Sequence, residues 1–319
     1  MLKIHENTLL NFLELSLKTE GISRIVVGGL IKNKDGEILV LKRSEDDFMG
    51  GLDELPSGKK DPVDKTVYDA LIREIKEETN LDVSKIESYL GSFDYKSKSG
   101  ILTRQFNFAV EVSDTKALKI SEEHQNSTWY SIYKIHLSNM TDNVREFLNK
   151  EFENQLIEQA TKEDISRFVV GGLICNDQNQ VLVLKRSSND FLGGLDELPS
   201  GKVEKGERLY EALIREIKEE TNLKVTEPVK RYIGHFDYKS KSGILTRQFN
   251  FEVLVEDISQ IKISEEHESY NWYSDATKET LNVSENVINV INNFFPPPQK
   301  RKLSCQPEKI SKRTKKTQH

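Results

Sequence analysis

The sequence predicts an α+β protein, a mixed β-sheet packed between helices, with the whole unit present twice. Three observations carry that prediction. Long segments recur at an offset of 143 residues. Each recurring unit holds strand-like runs rich in Val, Ile, Leu and Phe. Each also holds a run with apolar residues at helical spacing and three closely spaced carboxylates, expected to be an amphipathic helix.

The repeat is the strongest of the three. ISRIVVGGLI, from Ile22, returns as ISRFVVGGLI from Ile165. VLKRSEDDFMGGLDELPSGK, from Val40, returns as VLKRSSNDFLGGLDELPSGK from Val183. LIREIKEETNL returns from Leu213, FDYKSKSGILTRQFNF returns unchanged from Phe236, and ISEEHQNSTWYS matches ISEEHESYNWYS from Ile263. A period this long belongs to a duplicated domain, because solenoid repeats run to about 20–50 residues.

Within the second unit, RFVVGGLICN and QVLVLKR read as two strands joined by a short turn. FLGGLDELPSGKVEKGE follows as a Gly- and Pro-containing loop. A helix is expected over roughly 207–221, with Leu209, Ala212, Leu213 and Ile217 on one face. Asn222 stands where a left-handed C-terminal cap belongs. Two strands flank the polar turn KSKSG, the WYS segment adds another, and SENVINVINNFF closes the unit as an amphipathic helix. The expected organisation is an amphipathic helix over 1–21 that caps the first domain, a first domain over 22–150, a linker helix over 151–164, a second domain over 165–295, and a basic tail over 296–319.

Composition restricts the function classes. The chain has 319 residues, 36% hydrophobic and 31% charged, as expected of a somewhat polar globular protein. No stretch approaches the roughly 18 apolar residues a membrane span requires. Cys175 and Cys305 cannot build a disulfide framework, and no Cys/His cluster has zinc spacing, so a reducing compartment, cytoplasm or nucleus, is expected. Charge is uneven. The segment from Pro296 carries eight Lys/Arg and one acid, about +7, so the net −6 chain leaves about −13 elsewhere. The tail reads as disordered, and as an import signal, a nucleic-acid tether or a solubilising end. An acidic body disfavours extensive nucleic-acid binding by the folded domains.

The chemistry lies in the loop and helix after ELPSG. Glu216, Glu219 and Glu220 stand at i, i+3 and i+4, and are expected on one face of the helix, opposite its apolar stripe. Like charges at these spacings repel by about 0.2–0.5 kcal/mol per pair. A hard divalent cation converts that repulsion into binding, since magnesium takes oxygen ligands and leaves positions open for phosphates. A solvated acidic face is the plain alternative for a Glu-rich helix. Here a Gly-containing loop precedes the helix and Arg215 adjoins the first Glu.

In these residues the chain resembles the Nudix hydrolases, whose signature is G-x5-E-x7-R-E-U-x-E-E-x-G-U with U a bulky aliphatic. Gly201, Glu207, Arg215, Glu216, Ile217, Glu219, Glu220 and Leu223 match, and Asn222 replaces the last Gly. The resemblance covers about residues 22–295. It implies an α/β/α sandwich fold and a magnesium-dependent pyrophosphohydrolase, with manganese as the alternative metal. The substrate implied is a nucleoside di- or triphosphate derivative. By the same resemblance Glu216, Glu219 and Glu220 hold the metal, and Glu207 pairs with Arg215 to brace the loop. Glu266 is an additional metal ligand or the base, a role open between Glu216 and Glu266. In the first copy Glu74, Glu77, Glu78 and Glu123 correspond, with Arg73 and Gly58 as box residues.

Arg186, and Arg43 in the first copy, end a strand where a phosphate ligand is expected, although either equally reads as a surface charge. Gly201, Arg247, Lys239 and Lys241 are further candidates for phosphate contact. Tyr238 lies near selectivity positions of some relatives, yet a strand Tyr is ordinary sheet filling. Trp272 reads as core. The first copy's loop, GKKDPVDKTVYDALIRE, is one residue longer, with Lys65 falling where Glu207 stands and Asp64 beside it. Loss of the acidic brace is therefore expected, leaving copy two dominant and copy one weaker or an interface. The two copies are expected to pair within the chain. The rival functions are a non-catalytic nucleotide sensor or scaffold, and an RNA decapping enzyme aided by the tail.

Overall fold

The structure is a computed structural model that describes residue 17 and residues 20–46, 49–189 and 192–295. The basic tail lies outside the described residues, as does most of the expected helix over 1–21. The first repeat runs β1 (Arg24–Ile31), β2 (Ile38–Arg43), β3 (Asp53–Glu54), β4 (Ser57–Lys59), α1 (Val67–Thr79), β5 (Val83–Lys96), β6 (Leu102–Val112), β7 (His124–Tyr130) and α2 (Asp142–Lys162). The second runs β8 (Arg167–Leu173), β9 (Val181–Arg186), β10 (Asp196–Glu197), β11 (Ser200–Lys202), α3 (Leu209–Thr221), β12 (Val225–Lys239), β13 (Leu245–Val255), β14 (His267–Tyr273) and α4 (Glu285–Phe294).

Each repeat forms a four-stranded mixed sheet and a three-stranded antiparallel sheet. Their orders are β4-β1-β6-β5 with β3-β2-β7, and β11-β8-β13-β12 with β10-β9-β14. The parallel pairs are β1 with β6 and β8 with β13. The central strands are apolar because both faces are covered: Val27, Leu39, Leu41, Phe106 and Phe108 are sealed, as are Val170, Leu182, Phe249 and Phe251. This is the α+β class expected.

Helix α3 forms as its pattern predicts. Leu209, Ala212, Leu213 and Ile217 are fully buried, and Asn222 ends the helix at φ 59° with its N–H donating to Lys218 O. Its first turn begins two residues later than expected, with Arg208 as the N-cap. In α1 the longer loop supplies a reciprocal cap instead. Asp69 N donates to Thr66 Oγ1 (3.1 Å) and Thr66 N to Asp69 Oδ2 (2.9 Å).

The expected boundary between residues 150 and 151 falls inside one continuous helix. α2 closes the first repeat and opens the second. Val144, Phe147, Leu148, Phe152 and Leu156 join one hydrophobic cluster that includes Leu30, Val40 and Leu55 of the first repeat with Val170, Leu213 and Phe251 of the second. A linker and a terminal helix cannot be told apart by periodicity alone, because both present apolar residues at helical spacing. Polar clasps add to the packing. Arg208 Nη2 donates to Glu153 Oε1 (2.6 Å), and Tyr210 N to Glu153 Oε2 (3.3 Å). Among the described residues no helix is long and apolar enough to cross a membrane.

Candidate active site

The ELPSG loop and helix α3 meet at Gly201. A Cβ built there would lie 1.9 Å from the Glu216 carboxyl carbon, so only glycine lets that carboxylate lie against the backbone. Arg215 organises the rest. Its Nε and Nη2 donate to the two oxygens of Glu207 (2.8 and 2.9 Å). Its Nη1 reaches Glu216 (2.7 Å) and Glu219 (3.2 Å), and Nη2 also holds Lys202 O (3.0 Å). Loop and helix are thus tied by one guanidinium.

Glu220 is buried, and its Oε2 accepts from Ser200 N (2.7 Å). Burial pushes its carboxyl up to about 9, against the loop amide, and the charges of Glu197, Glu216 and Glu266 push the same way. Burial also raises Glu216, which Arg215 opposes. Glu219 and Glu266 are exposed. Contrary to expectation, the carboxylates therefore do not lie opposite the apolar stripe. At about 3.6 residues per turn, Glu216 and Glu220 fall on the same side as Leu209 and Leu213, so the face is half sunk in protein, with Glu219 open to solvent.

The first copy repeats this arrangement, including the brace that its sequence was expected to lack. Arg73 donates through Nε and Nη2 to Asp64 Oδ1 and Oδ2 (3.1 and 2.8 Å). It also reaches Glu74 and Glu77 (both 2.9 Å) and Lys59 O (2.9 Å). The extra loop residue brings the shorter Asp64 to the place that Glu207 fills, and Asp61 N donates to it (2.8 Å) as Glu204 N donates to Glu207 (2.9 Å). Counting back from Arg73 put Lys65 in that place because a linear count cannot see a loop rerouted by one residue. Gly58 receives Glu74 as Gly201 receives Glu216. Ser57 N donates to Glu78 Oε2 (2.8 Å), and burial lifts Glu78 well above the carboxylate range, helped by Glu54, Glu74 and Glu123. Beside this face opens a cleft of about 600 Å³, lined among others by Arg24, Arg43, Glu54, Gly58, Tyr95 and Lys98.

The candidate phosphate ligands divide. Arg43 pairs with Glu54 (2.9 Å) and Arg186 with Glu197, both at the rim of the carboxylate face. Arg247 is sealed: it is 2% exposed and its guanidinium is committed to Asp237 (2.7 and 2.8 Å) and Glu163 (2.6 Å). It links β12, β13 and the end of α2, so it presents no charge to a phosphate. Lys239 and Lys241 are exposed near the hairpin turn. Tyr238 is half-buried, within electrostatic reach of Arg167, Glu197 and Arg186. Trp272 packs against the core.

Sequence reasoning missed two groups at this face: Glu54 with its counterpart Glu197, and His124 with His267. His124 Nε2 lies 3.0 Å from Glu54 Oε1, and His267 Nε2 lies 3.7 Å from Glu197 Oε1 and 3.8 Å from Glu220 Oε1. The signal was present. Each pair stands within a run that both copies share, LDELPSG and ISEEH, beside residues already singled out.

Among the described residues no three His, Cys, Asp or Glu side chains converge tightly enough to hold an ion as they stand. Arg215 Nη1 spans Glu216 and Glu219 instead. The donor set nevertheless suits a hard cation. It is made of carboxylate oxygens, with Glu216 cradled on glycine, and burial, aided by the neighbouring acids, raises the affinity of Glu220 for positive charge.

Comparison with known proteins places this geometry in a family. The family model described as NUDIX domain matches residues 22–150 and 166–279, one match in each repeat. The chain belongs to the NUDIX domain family, in two tandem copies. It is similar to an 8-oxo-dGTP diphosphatase of Proteus vulgaris, 37% identical over 59 residues, which are 18% of this chain and 53% of that one. It is also similar to an ADP-ribose pyrophosphatase of Methanocaldococcus jannaschii, 39% identical over 88 residues, 27% of this chain and 50% of that one. The matched segment spans about half the length of these curated relatives. Among solved structures, the MutT protein of Methanosarcina mazei Go1 aligns at 27% identity over 43% of this chain and 97% of its own, with a TM-score of 0.38.

Proposed function

We propose that the chain is a divalent-cation-dependent hydrolase of a phosphoanhydride bond in a nucleoside di- or triphosphate derivative, with a competent site in each copy. One observation carries this reading: the Arg-organised carboxylate face, with its glycine cradle and buried Glu, is built twice. Relatives named for 8-oxo-dGTP and ADP-ribose support the substrate class. We place the folded units at 22–150 and 165–295, joined through α2, with the tail beyond 296 as a solubilising or tethering end and the cytoplasm or nucleus as the compartment.

Glu216, Glu219, Glu220 and Glu266 would hold magnesium, or manganese, in copy two, and Glu74, Glu77, Glu78 and Glu123 in copy one. A cation bound there supplies Lewis acidity, neutralising charge on the phosphate oxygens and acidifying water. The chain's own residues do the rest. Arg215 and Glu207 hold the helix and loop in register. Arg186 and Arg43 sit at the rim, where a phosphate can compete with Glu197 and Glu54 for the guanidinium. Glu266 is the freer candidate for the base, because Glu216 is held by Arg215 against Gly201, whereas Glu266 is exposed.

The test is phosphate or pyrophosphate release with magnesium across a panel of nucleoside diphosphate derivatives, dinucleotides, triphosphates and capped RNA. Turnover that disappears in the combined Glu77→Gln/Glu78→Gln/Glu219→Gln/Glu220→Gln chain is the expected result. A wild-type chain that binds nucleotide but hydrolyses none of them would replace this reading with the sensor.

A further inference from the structure

We propose that His267, with His124 as its counterpart, is a positioning residue for the carboxylate face: its Nε2–H sets Glu197 and Glu220 in place for a divalent cation. The proposal rests on the reading that this face binds such a cation.

The His267 side chain is fully buried, yet its Nε2 has no hydrogen-bond partner. Buried polar groups are nearly always paired, so an orphan of this kind points to an arrangement that completes it. Two carboxylate oxygens face it, Glu197 Oε1 at 3.7 Å and Glu220 Oε1 at 3.8 Å. The other oxygen of Glu220 is already taken by Ser200 N, so a bond from His267 would fix the plane of that carboxylate. On the far side of the ring, Nδ1 lies 3.3 Å from Ser264 Oγ. A serine hydroxyl can donate there, which leaves the imidazole proton on Nε2, facing the two acids.

The first copy shows the same three groups in a closed arrangement. His124 Nε2 stands 3.0 Å from Glu54 Oε1 and 4.0 Å from Glu78 Oε1, with Nδ1 again 3.3 Å from a serine, Ser121. A displacement under about 1 Å therefore separates an unmade bond from a made one, within ordinary side-chain freedom. The backbone aims the ring deliberately. His267 opens β14, and the register with β9 shifts between His267 and Ser269. Such bulges re-aim side chains beside active sites. Glu266 is exposed while His267, the next residue, is buried with its ring toward Glu197 and Glu220.

Manganese binding to the full chain, followed by electron paramagnetic resonance in a Glu77→Gln/Glu78→Gln background, isolates the second copy. His267→Leu is expected to weaken manganese binding about 10–100-fold, the range for residues that orient metal ligands. His267→Gln, whose amide N–H reaches nearly as far as Nε2, should restore most of the loss. Glu197→Gln should weaken binding too, and the double variant should be no worse than His267→Leu alone, because both act through one contact. Thermal melts without manganese separate loss of fold from loss of orientation; if His267→Leu does not fold, Glu197→Gln and His267→Gln carry the test. Unchanged affinity in His267→Leu, no recovery in His267→Gln, or strictly additive losses would overturn the positioning role. A chain that binds no manganese in the unmutated background overturns the cation reading and this proposal together; binding that ignores His267 overturns this proposal alone.

Discussion

Asp64 and Glu207 do one task with side chains of different length. Each takes two N–H groups of the box arginine and one loop amide, and the arginine holds each carboxyl below its usual range. Asp64→Ala should therefore cost about 1–3 kcal/mol, the range for unpairing a buried polar contact, and slow the first copy, checked by urea unfolding and by turnover in a Glu219→Gln/Glu220→Gln background. Gly201→Ala should abolish the second copy's activity and leave the fold intact, because the new Cβ displaces the flexible end of Glu216 rather than backbone. Glu220 gives a pH prediction for the cation-free protein. Its folded value, about 9, lies above its ordinary 4.5. The stability it contributes is full below about 4.5 and is lost as pH rises through 9. Chelated wild-type protein should lose stability from pH 5 to 9, and Glu220→Gln should lose less. A stability curve unchanged by that substitution would refute the assignment.

At the scale of elements, α2 determines how the repeats behave together. It contributes to the core of both, and Glu153 on it is caught by Arg208 and by the backbone of Tyr210 at the start of α3. The two tryptophans fall one to a repeat, Trp129 in β7 and Trp272 in β14. Trp129→Phe and Trp272→Phe chains then each report one half. Denaturant midpoints from the two should coincide, since unfolding either half strips the shared helix of one of its faces. Separated midpoints would show that α2 links two independent units. The existence of α3 and its C-terminal cap were legible in the sequence here, because apolar spacing and Asn222 are local signals; its start was not, falling at Arg208 rather than before Glu207. The continuity of α2 across residue 150 was not, because what covers each face of a helix is decided by distant strands.

At the scale of the molecule, the two sites are alike enough that each should work. Glu77→Gln/Glu78→Gln and Glu219→Gln/Glu220→Gln should each keep a substantial part of wild-type turnover, and only their combination should remove it. If one pair alone abolishes activity, the other copy is a passenger. The sequence by itself determined the duplication, the α+β class, the family and the carboxylate helix, since these depend on repeat, periodicity and spacing along the chain. Only the tertiary structure decided that Asp64 replaces Glu207, that Arg247 is sealed among acids, and that Glu197 and His267 stand at the carboxylate face. Those outcomes depend on which groups meet across loops and strands far apart in sequence, where burial and charge pairing rather than spacing set the arrangement.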